Sequence, residues 1–367
     1  MNVSITAGLG AFSLSLSLAA LAYIYIERPI LNLSISKTQL LFYCSILCLL
    51  INRSPPLLKD FVYKPGPMSP EINRIFHVLH DLDKPLSKPY NWTLADYFYL
   101  SLRLYTDRIE PYLNCSHNSL YSEKVLLHKS KWCETIREDS TRNLTAIILG
   151  NSHAARSSPI IHANKIFRRV IRISDSGCHF PKEDRPYGYE NCKNIVPFSF
   201  EIVEKVKPDI VFIFMGYLGR MLEPVKMNVK DDWAFRALNE TVTKISKFTK
   251  AIILTHEDLK FGPEIIPEFV RRRVHRLDID FMKYPRSEVI KSEKSTEERL
   301  NLILKYCEKC TIIRPADAFC DEKLCDPIDR NLNLPMFADQ HHIRILGQRK
   351  YQGVVDKIVD EVVKKIA

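Results

Sequence analysis

Short apolar runs alternate with longer amphipathic segments from about residue 143 to the C-terminus, and this pattern constrains the fold most. The run 209–215 (Asp-Ile-Val-Phe-Ile-Phe-Met) is the clearest predicted strand, because it is almost entirely β-branched and aromatic. The segment 347–366 is the clearest predicted helix, because Val and Ile residues recur on one of its faces. Further strands are predicted at 146–149, 169–173, 251–255 and 311–314, and further helices at 154–167, 198–206, 233–249 and 297–306. This alternation predicts an α/β domain with a parallel sheet and helices on both faces.

Two apolar segments precede this region. Residues 5–26 form a run of 22 residues without a charge, which is long enough to span a bilayer. Residues 38–51 form a shorter run that lacks the polar face of a soluble helix, so they predict a second, short span. We therefore expect a membrane part at 1–55, a lead-in segment at 56–140 that packs on the main domain, and the main domain at 141–367.

Cysteines and sequons indicate on which side of a membrane this domain lies. Eight of the ten cysteines lie beyond residue 55, and an even set in a folded domain is typical of an oxidising compartment. Four Asn-x-Ser/Thr sequons lie in the same region, at Asn91, Asn114, Asn143 and Asn239. Residues 56–367 are therefore predicted to be lumenal or extracellular, with residues 27–37 in the cytosol. The Lys and Arg residues that flank the two apolar runs are too evenly divided to add to this argument.

The spacing of these cysteines predicts disulfides. Cys178 and Cys192 flank a 13-residue loop, and Cys320 lies close to Cys325, so both pairs are predicted to be bonded. Cys115–Cys133 is a third predicted pair, which leaves Cys307–Cys310 as the fourth. An alternative is a zinc site, because Cys307-x-x-Cys310 followed by Cys320-x4-Cys325 resembles a metal-ligand spacing. Local disulfides are preferred, because the second cysteine pair is more widely spaced than in a zinc ribbon.

The formal net charge is +10, and the densest basic cluster is 271–276 (Arg-Arg-Arg-Val-His-Arg). One interpretation is a patch that binds an anionic glycan, a lipid headgroup or a nucleic acid. The other is the solvated face of a helix, which is preferred because a nucleic-acid surface normally interleaves aromatic residues. No nucleic-acid partner is expected.

The candidate chemistry lies in two short motifs. Ser152 stands in Gly-Asn-Ser-His, directly after the predicted strand 146–149, and ligands of parallel sheets bind at the carboxyl ends of strands. Asp339-Gln340-His341-His342 lies near the C-terminus. Ser152 is the predicted nucleophile, His342 the base that takes its proton, and Asp339 the residue that orients the imidazole. His341 is a competing base. Each motif also has a purely structural interpretation. Ser152 could be a helix N-cap, which is compatible with catalysis, and residues 339–342 could be a polar loop in which Asp339 is a cap.

Attack of a serine on an acyl carbonyl produces an oxyanion, which N–H donors must stabilise. The backbone N–H of Ser152 would lie at a helix start, where the helix dipole favours negative charge. Gly177 follows the second predicted strand, and its N–H could complete the oxyanion hole, although it could equally be an ordinary turn glycine. Asn151 and His153 are expected to shape the turn, and His256 lies near the same sheet edge. No cofactor and no metal are expected.

These motifs resemble those of the SGNH domain that is fused to type-three membrane acyltransferases. Residues 150–154 look like the nucleophile block of that family, and Asp339-x-x-His342-Ile343 with Gly347 looks like its final block. Residues 25–29 (Tyr-Ile-Glu-Arg-Pro) are similar to the end of the last acyltransferase helix. The second apolar run then corresponds to the extra helix that carries the SGNH domain across the membrane.

The resemblance implies an SGNH-hydrolase-like (flavodoxin-like) fold, preceded by two membrane helices. It implies acyl transfer, with acetyl as the expected group, to or from hydroxyls of a glycan or lipid-linked acceptor through an acyl-Ser152 intermediate. Most of the acyltransferase domain has no counterpart here, so a full-length membrane acyltransferase is one expected partner. The oxyanion block Gly-x-Asn-Asp of SGNH hydrolases reads Gly216-Tyr217-Leu218-Gly219 here. This departure favours an alternative function, a non-catalytic lumenal module that binds a glycan or a partner.

Overall fold

The structure is a computed structural model that describes residues 115, 132–178, 192–217, 221–225, 228–256, 259–290 and 293–367. Both predicted membrane spans and the sequons at Asn91 and Asn114 lie outside these residues. Across the described ranges, the helices are too short or too polar to traverse a bilayer.

Six strands form the main sheet, in the order β1-β3-β2-β4-β5-β7. β1 is antiparallel to β3, and every other neighbouring pair is parallel. Four two-residue strands form two small ribbons, β6–β8 and β9–β10. The strands are β1 (Trp132–Ile136), β2 (Leu144–Gly150), β3 (Phe167–Ser174), β4 (Ile210–Phe214), β5 (Ala251–Thr255), β6 (Tyr284–Pro285), β7 (Cys310–Ile313), β8 (Leu324–Cys325), β9 (Ile328–Asp329) and β10 (Leu334–Pro335).

Helices cover both faces of this sheet, as the alternating sequence predicts. The helices are α1 (Ser152–Ala163), α2 (Cys192–Val206), α3 (Trp233–Ser246), α4 (Ile265–Val274), α5 (Arg286–Val289), α6 (Glu293–Tyr306), α7 (Ala316–Phe319) and α8 (Ile345–Ile366). Successive side chains of a strand point to opposite faces. Ala146 and Ile148 of β2 accordingly pack in one core with α1, α4 and α8. Ile147 and Leu149 pack in a second core with α2, α3 and α6.

The predicted α/β fold, a largely parallel sheet with helices on both faces, is confirmed with one strand added, and the two predicted membrane helices are not part of this finding. Strand β1 lies in the segment predicted as a lead-in, and it joins the sheet as an antiparallel edge. The sheet is therefore mixed rather than wholly parallel. The sequence did not indicate this strand, because its five residues (Trp-Cys-Glu-Thr-Ile) lack a continuous apolar pattern. Glu134 is buried there beside Arg169 of β3, with Oε1 and Nε 2.8 Å apart.

Helix α1 is shorter than the predicted 154–167, because Asn164 ends it. The backbone of Asn164 is extended (φ −69°, ψ 116°), and its side-chain Oδ1 accepts from the N–H of Ile166 at 2.9 Å. Its Nδ2 donates to Asp356 of α8 at 2.7 Å. Residues from Phe167 onward are thereby free to enter β3.

The strand order β3-β2-β4-β5-β7 is the flavodoxin-like order that the resemblance implies. The chain passes from β2 to β3 on one side and then places β4 on the other side of β2. The connections leave in opposite directions at this point, and sheets of this order bind their ligands outside the carboxyl ends of the strands that flank it. Ser152 lies just beyond the end of β2, at this point.

All four predicted disulfides are formed. They join Cys115 to Cys133, Cys178 to Cys192, Cys307 to Cys310 and Cys320 to Cys325. The alternative of a zinc site at the last four cysteines is therefore wrong, because a sulfur in a disulfide is not a thiolate ligand.

Candidate active site

The turn that presents Ser152 depends on Gly150. Its φ is 149°, in a region that side chains disfavour. A Cβ on Gly150 would lie 1.8 Å from the backbone carbonyl oxygen of Phe214 in the neighbouring strand β4. Only glycine fits this close approach of two strands. The chain can then turn within one residue, so that Ser152 is the first residue of α1.

Asn151 connects this turn to the end of β4. Its Oδ1 accepts from the N–H of His153 at 3.1 Å, which caps α1. The same oxygen accepts from the N–H of Gly216 at 3.2 Å, and Nδ2 donates to the Gly216 carbonyl at 2.8 Å. The side chain thus shapes the turn as expected, and it also continues the pairing of β2 and β4 beyond their last residues.

The structure brings the three predicted catalytic residues together. His342 Nε2 lies 2.8 Å from Ser152 Oγ, and His342 Nδ1 lies 2.7 Å from Asp339 Oδ2. Because the carboxylate can only accept, Nδ1 carries the proton and Nε2 accepts from the serine hydroxyl. His341, the competing base, instead has its Nδ1 3.9 Å from Asp339 Oδ1. The arrangement can remove a proton from Ser152 and hold the resulting imidazolium beside a carboxylate.

The environment of Asp339 keeps it ionised. Partial burial raises the pKa of this carboxyl group, but hydrogen bonds outweigh the burial. The donors are the His342 ring and the backbone N–H groups of His341 and His342, the latter two at 3.0 and 2.8 Å from Oδ1. The net effect lowers the pKa of Asp339 far below its ordinary value.

Contacts with the segment after β5 position the loop that carries Asp339 and His342. The N–H of Phe261 donates to the Gln340 carbonyl at 2.9 Å, and Gln340 Nε2 donates to the Gly262 carbonyl at 2.7 Å. Within the loop, the N–H of Ala338 donates to the His342 carbonyl at 2.9 Å. These three hydrogen bonds hold the loop that carries His342, the candidate base.

Three imidazole rings cluster at the site. The ring of His153 stacks on that of His342 with centroids 4.7 Å apart, and it lies 5.2 Å from His341. The rings of His341 and His342 are 4.2 Å apart. His153 is buried against Gly216, where a Cβ would come within 2.2 Å of its Nε2. Sequence reasoning expected His153 only to shape the turn. No local signal could have placed it beside residues almost 190 positions away.

The loop of Gly177 begins at the same sheet edge, because Ser174 pairs with Gly150. Gly177 has a φ of 74°, which favours glycine, and the neighbouring Cys178 is bonded to Cys192. The oxyanion role of Gly177 and of the Ser152 N–H remains a prediction.

Two further residues, Tyr217 after β4 and His256 after β5, are buried. Tyr217 lies in the segment that replaces the Gly-x-Asn-Asp block of SGNH hydrolases. Its hydroxyl donates to the Thr255 carbonyl at 2.8 Å. His256 lies just beyond β5, and its N–H donates to the Ile313 carbonyl at 2.8 Å.

Several solved structures are similar to this chain. One is the periplasmic domain of a lipopolysaccharide acetyltransferase from Salmonella ser. Paratyphi A, with 15% identity, a TM-score of 0.46, and 74% of this chain and 98% of that chain covered. An acetylxylan esterase from Geobacillus stearothermophilus has 11% identity and a TM-score of 0.32, with 60% and 95% covered. A GDSL-like lipase from Bacteroides thetaiotaomicron has 11% identity and a TM-score of 0.34, with 65% and 97% covered.

No curated protein matches the chain. The family model described as "SGNH domain (fused to AT3 domains)" matches residues 114–357, which is about two thirds of the chain. The chain therefore belongs to the family of SGNH domains that are fused to AT3 domains.

Proposed function

We propose that this protein is a membrane-anchored serine O-acyltransferase or acyl-esterase in which Ser152 carries the acyl group. The observation that carries the proposal is the continuous hydrogen-bonded chain from Asp339 through His342 to Ser152 Oγ. Membership in the SGNH family supports an acyl-transferring or ester-hydrolysing enzyme. The expected group is acetyl, and the expected acceptor is a hydroxyl of a glycan or a lipid-linked acceptor, or water.

The proposed reaction gives each of these groups one role. His342 Nε2 takes the Ser152 proton as Oγ attacks the acyl carbonyl carbon. The N–H groups of Ser152 and Gly177 stabilise the tetrahedral oxyanion, and ionised Asp339 stabilises the imidazolium. His342 then protonates the leaving alcohol, which leaves an acyl-Ser152. In the second half, His342 takes the proton of the acceptor hydroxyl as its oxygen attacks the acyl carbon. The bond from the acyl carbon to Ser152 Oγ then breaks, and His342 returns the proton to Oγ.

A fluorophosphonate probe tests the nucleophile without knowledge of the natural substrate. Ser152 Oγ would displace fluoride at phosphorus, and intact mass analysis of the full chain would detect the adduct. Ser152→Ala should abolish labelling, while Ser246→Ala, at the exposed end of α3, should label like the wild type. Asp339→Asn should slow labelling by roughly 10⁴-fold, as expected when the imidazole loses its orienting carboxylate. Wild-type labelling of Ser152→Ala would contradict the proposal.

The alternative of a non-catalytic binding module has less support. It predicts that Ser152 Oγ and the base lie more than about 5 Å apart, because nothing would then maintain a catalytic contact. The two atoms are 2.8 Å apart. Tyr217, which follows β4, packs its side chain inside the domain, so this side chain offers no surface for a glycan.

The placement of the domain outside the cytosol is part of the same proposal. The four disulfides of the described region support an oxidising compartment. The apolar N-terminal runs support a bilayer as partner, and a full-length membrane acyltransferase is the proposed source of the acyl group.

A further inference from the structure

The three clustered histidines offer chemistry that the proposed acyl transfer does not use. One ring nitrogen from each of His153, His341 and His342 can be chosen so that all three lie within 4.8 Å of one another. We propose that these residues form a binding site for one divalent transition metal ion, with Zn²⁺ as the representative, and that the bound metal reversibly blocks Ser152.

His342 is already prepared to be a metal ligand. Its Nδ1–H donates to the Asp339 carboxylate, and this carboxylate–histidine pairing orients and strengthens imidazole ligands in metal sites. The same tautomer leaves a lone pair on Nε2, which now accepts from Ser152 Oγ at 2.8 Å. A metal would take the place of the serine proton at this lone pair. No covalent bond breaks, and the Ser152 hydroxyl loses only its acceptor.

His341 and His153 would complete the site after their rings turn, because the His153 ring now stacks on those of His341 and His342 at 24° and an imidazole lone pair lies in the plane of its ring. Zn–N bonds of about 2.0–2.1 Å in tetrahedral geometry require ligand nitrogens about 3.3 Å apart, so the cluster must contract by up to about 1.5 Å. The side chain of His341 is 37% exposed, so it has room to turn and provides the entry path. Nε2 of His153 lies against Gly216, so His153 would present its Nδ1 to the metal. Water or an acyl-donor oxygen could take the fourth position.

The cysteines of the described region cannot compete with the histidines for the metal. All eight cysteines beyond residue 55 are in disulfides and provide no thiolate. Three imidazoles with an open fourth position suit zinc and its neighbours in the transition series. Because the metal would occupy the nitrogen that must accept the Ser152 proton, binding and catalysis would exclude each other.

Zinc binding can be measured on the full chain, purified without a polyhistidine tag and stripped of metal. Titration of Zn²⁺ against a chromophoric chelator should show one strong equivalent in the wild type. His341→Phe and His153→Phe retain an aromatic ring but lose the nitrogens, and each should weaken binding about tenfold or more, since loss of even an outer partner costs that much. His275→Phe, at the exposed end of α4, should leave affinity unchanged. Ser152→Ala should bind as tightly as the wild type or more tightly.

A second measurement connects the metal to the serine. Zn²⁺ should slow fluorophosphonate labelling of the wild type, a chelator should restore it, and His341→Phe should lose most of this Zn²⁺ effect. Circular dichroism of each variant establishes that it is folded. The proposal is overturned if Zn²⁺ does not bind saturably, or if His341→Phe and His153→Phe bind like the wild type. It is also overturned if Ser152→Ala loses binding, or if the labelling of His341→Phe remains fully sensitive to Zn²⁺.

Discussion

Single residues at the ends of β2 and β4 set the geometry of the site. Gly150 lets the two strands approach, Asn151 joins them through its amide, and Gly216 makes room for the His153 ring. His153 in turn packs against His342. These residues contact one another, so the effects of their substitutions should be coupled rather than additive.

Gly216→Ala is predicted to destabilise the fold through a clash with His153. The added Cβ would lie 2.2 Å from His153 Nε2, and forced overpacking of this kind costs about 1–3 kcal/mol. In the His153→Ala background the ring is absent, so the same substitution should cost markedly less. Urea unfolding of the four proteins in the cycle measures the free energies. Equal costs of Gly216→Ala in the two backgrounds would show that the steric contact with His153 is not the cause.

Among the secondary-structure elements, α1 packs on β1 and β3 around a buried histidine. His162 of α1 has its Nδ1 2.7 Å from the Thr135 hydroxyl oxygen of β1. Burial lowers the pKa of His162 from its ordinary value of 6.5 to about 3, and the charge of Arg172 in β3 contributes to the same shift. The ring is therefore neutral in the folded protein, and protonation is favoured only after unfolding.

This pKa shift predicts a loss of stability in mild acid. The folded pKa lies below the unfolded one, so the contribution of His162 is complete above about pH 6.5 and is lost as the pH falls toward 3. Within this window the slope approaches about 1.4 kcal/mol per pH unit. His162→Gln should remove this part of the pH dependence. Urea unfolding at several pH values measures both slopes, and equal slopes for the wild type and His162→Gln would contradict the prediction.

On the scale of the whole molecule, the basic cluster and the sequons concern the partners of the domain and the side of the membrane on which it lies. The basic cluster 271–276 lies at the end of α4 and beyond, where Arg271 and Arg272 both pair with Glu268 at 2.7 Å. This pairing within one helix favours the interpretation as a solvated helix face over that of a binding patch. Of the sequons in the described region, Asn143 is exposed just before β2, whereas Asn239 is half-buried in α3.

The proposed topology predicts that Asn143 is glycosylated. When the full chain is expressed in a host that carries out N-glycosylation, glycosidase treatment should increase its gel mobility. Asn143→Gln should remove one step of this shift, because the exposed asparagine is accessible to the transferase. An unchanged mobility, together with thiol labelling of all eight cysteines beyond residue 55, would instead place the domain in the cytosol.

The sequence by itself determined the framework of the domain and its candidate catalytic residues. Runs such as 209–215 are too short and too apolar for an exposed helix, so local pattern alone predicts the strand β4. Ser152 was recognised because a polar residue after a buried strand falls at the ligand-binding edge of a parallel sheet. The late Asp339-x-x-His342 motif identified the candidate base, and the disulfides followed from cysteine spacing.

Only the tertiary structure decided which distant groups meet. Asn151 bonds to Gly216 across 65 positions of sequence, and strand β1 exists because β3 offers it an open edge. His342 rather than His341 faces Ser152, and His153 lies beside both. The physical reason is that a local sequence pattern reflects only interactions between residues that are close in sequence. These contacts depend instead on how the sheet buries its two faces, and on the hydrogen bonds between the loop of Asp339 and His342 and the segment after β5.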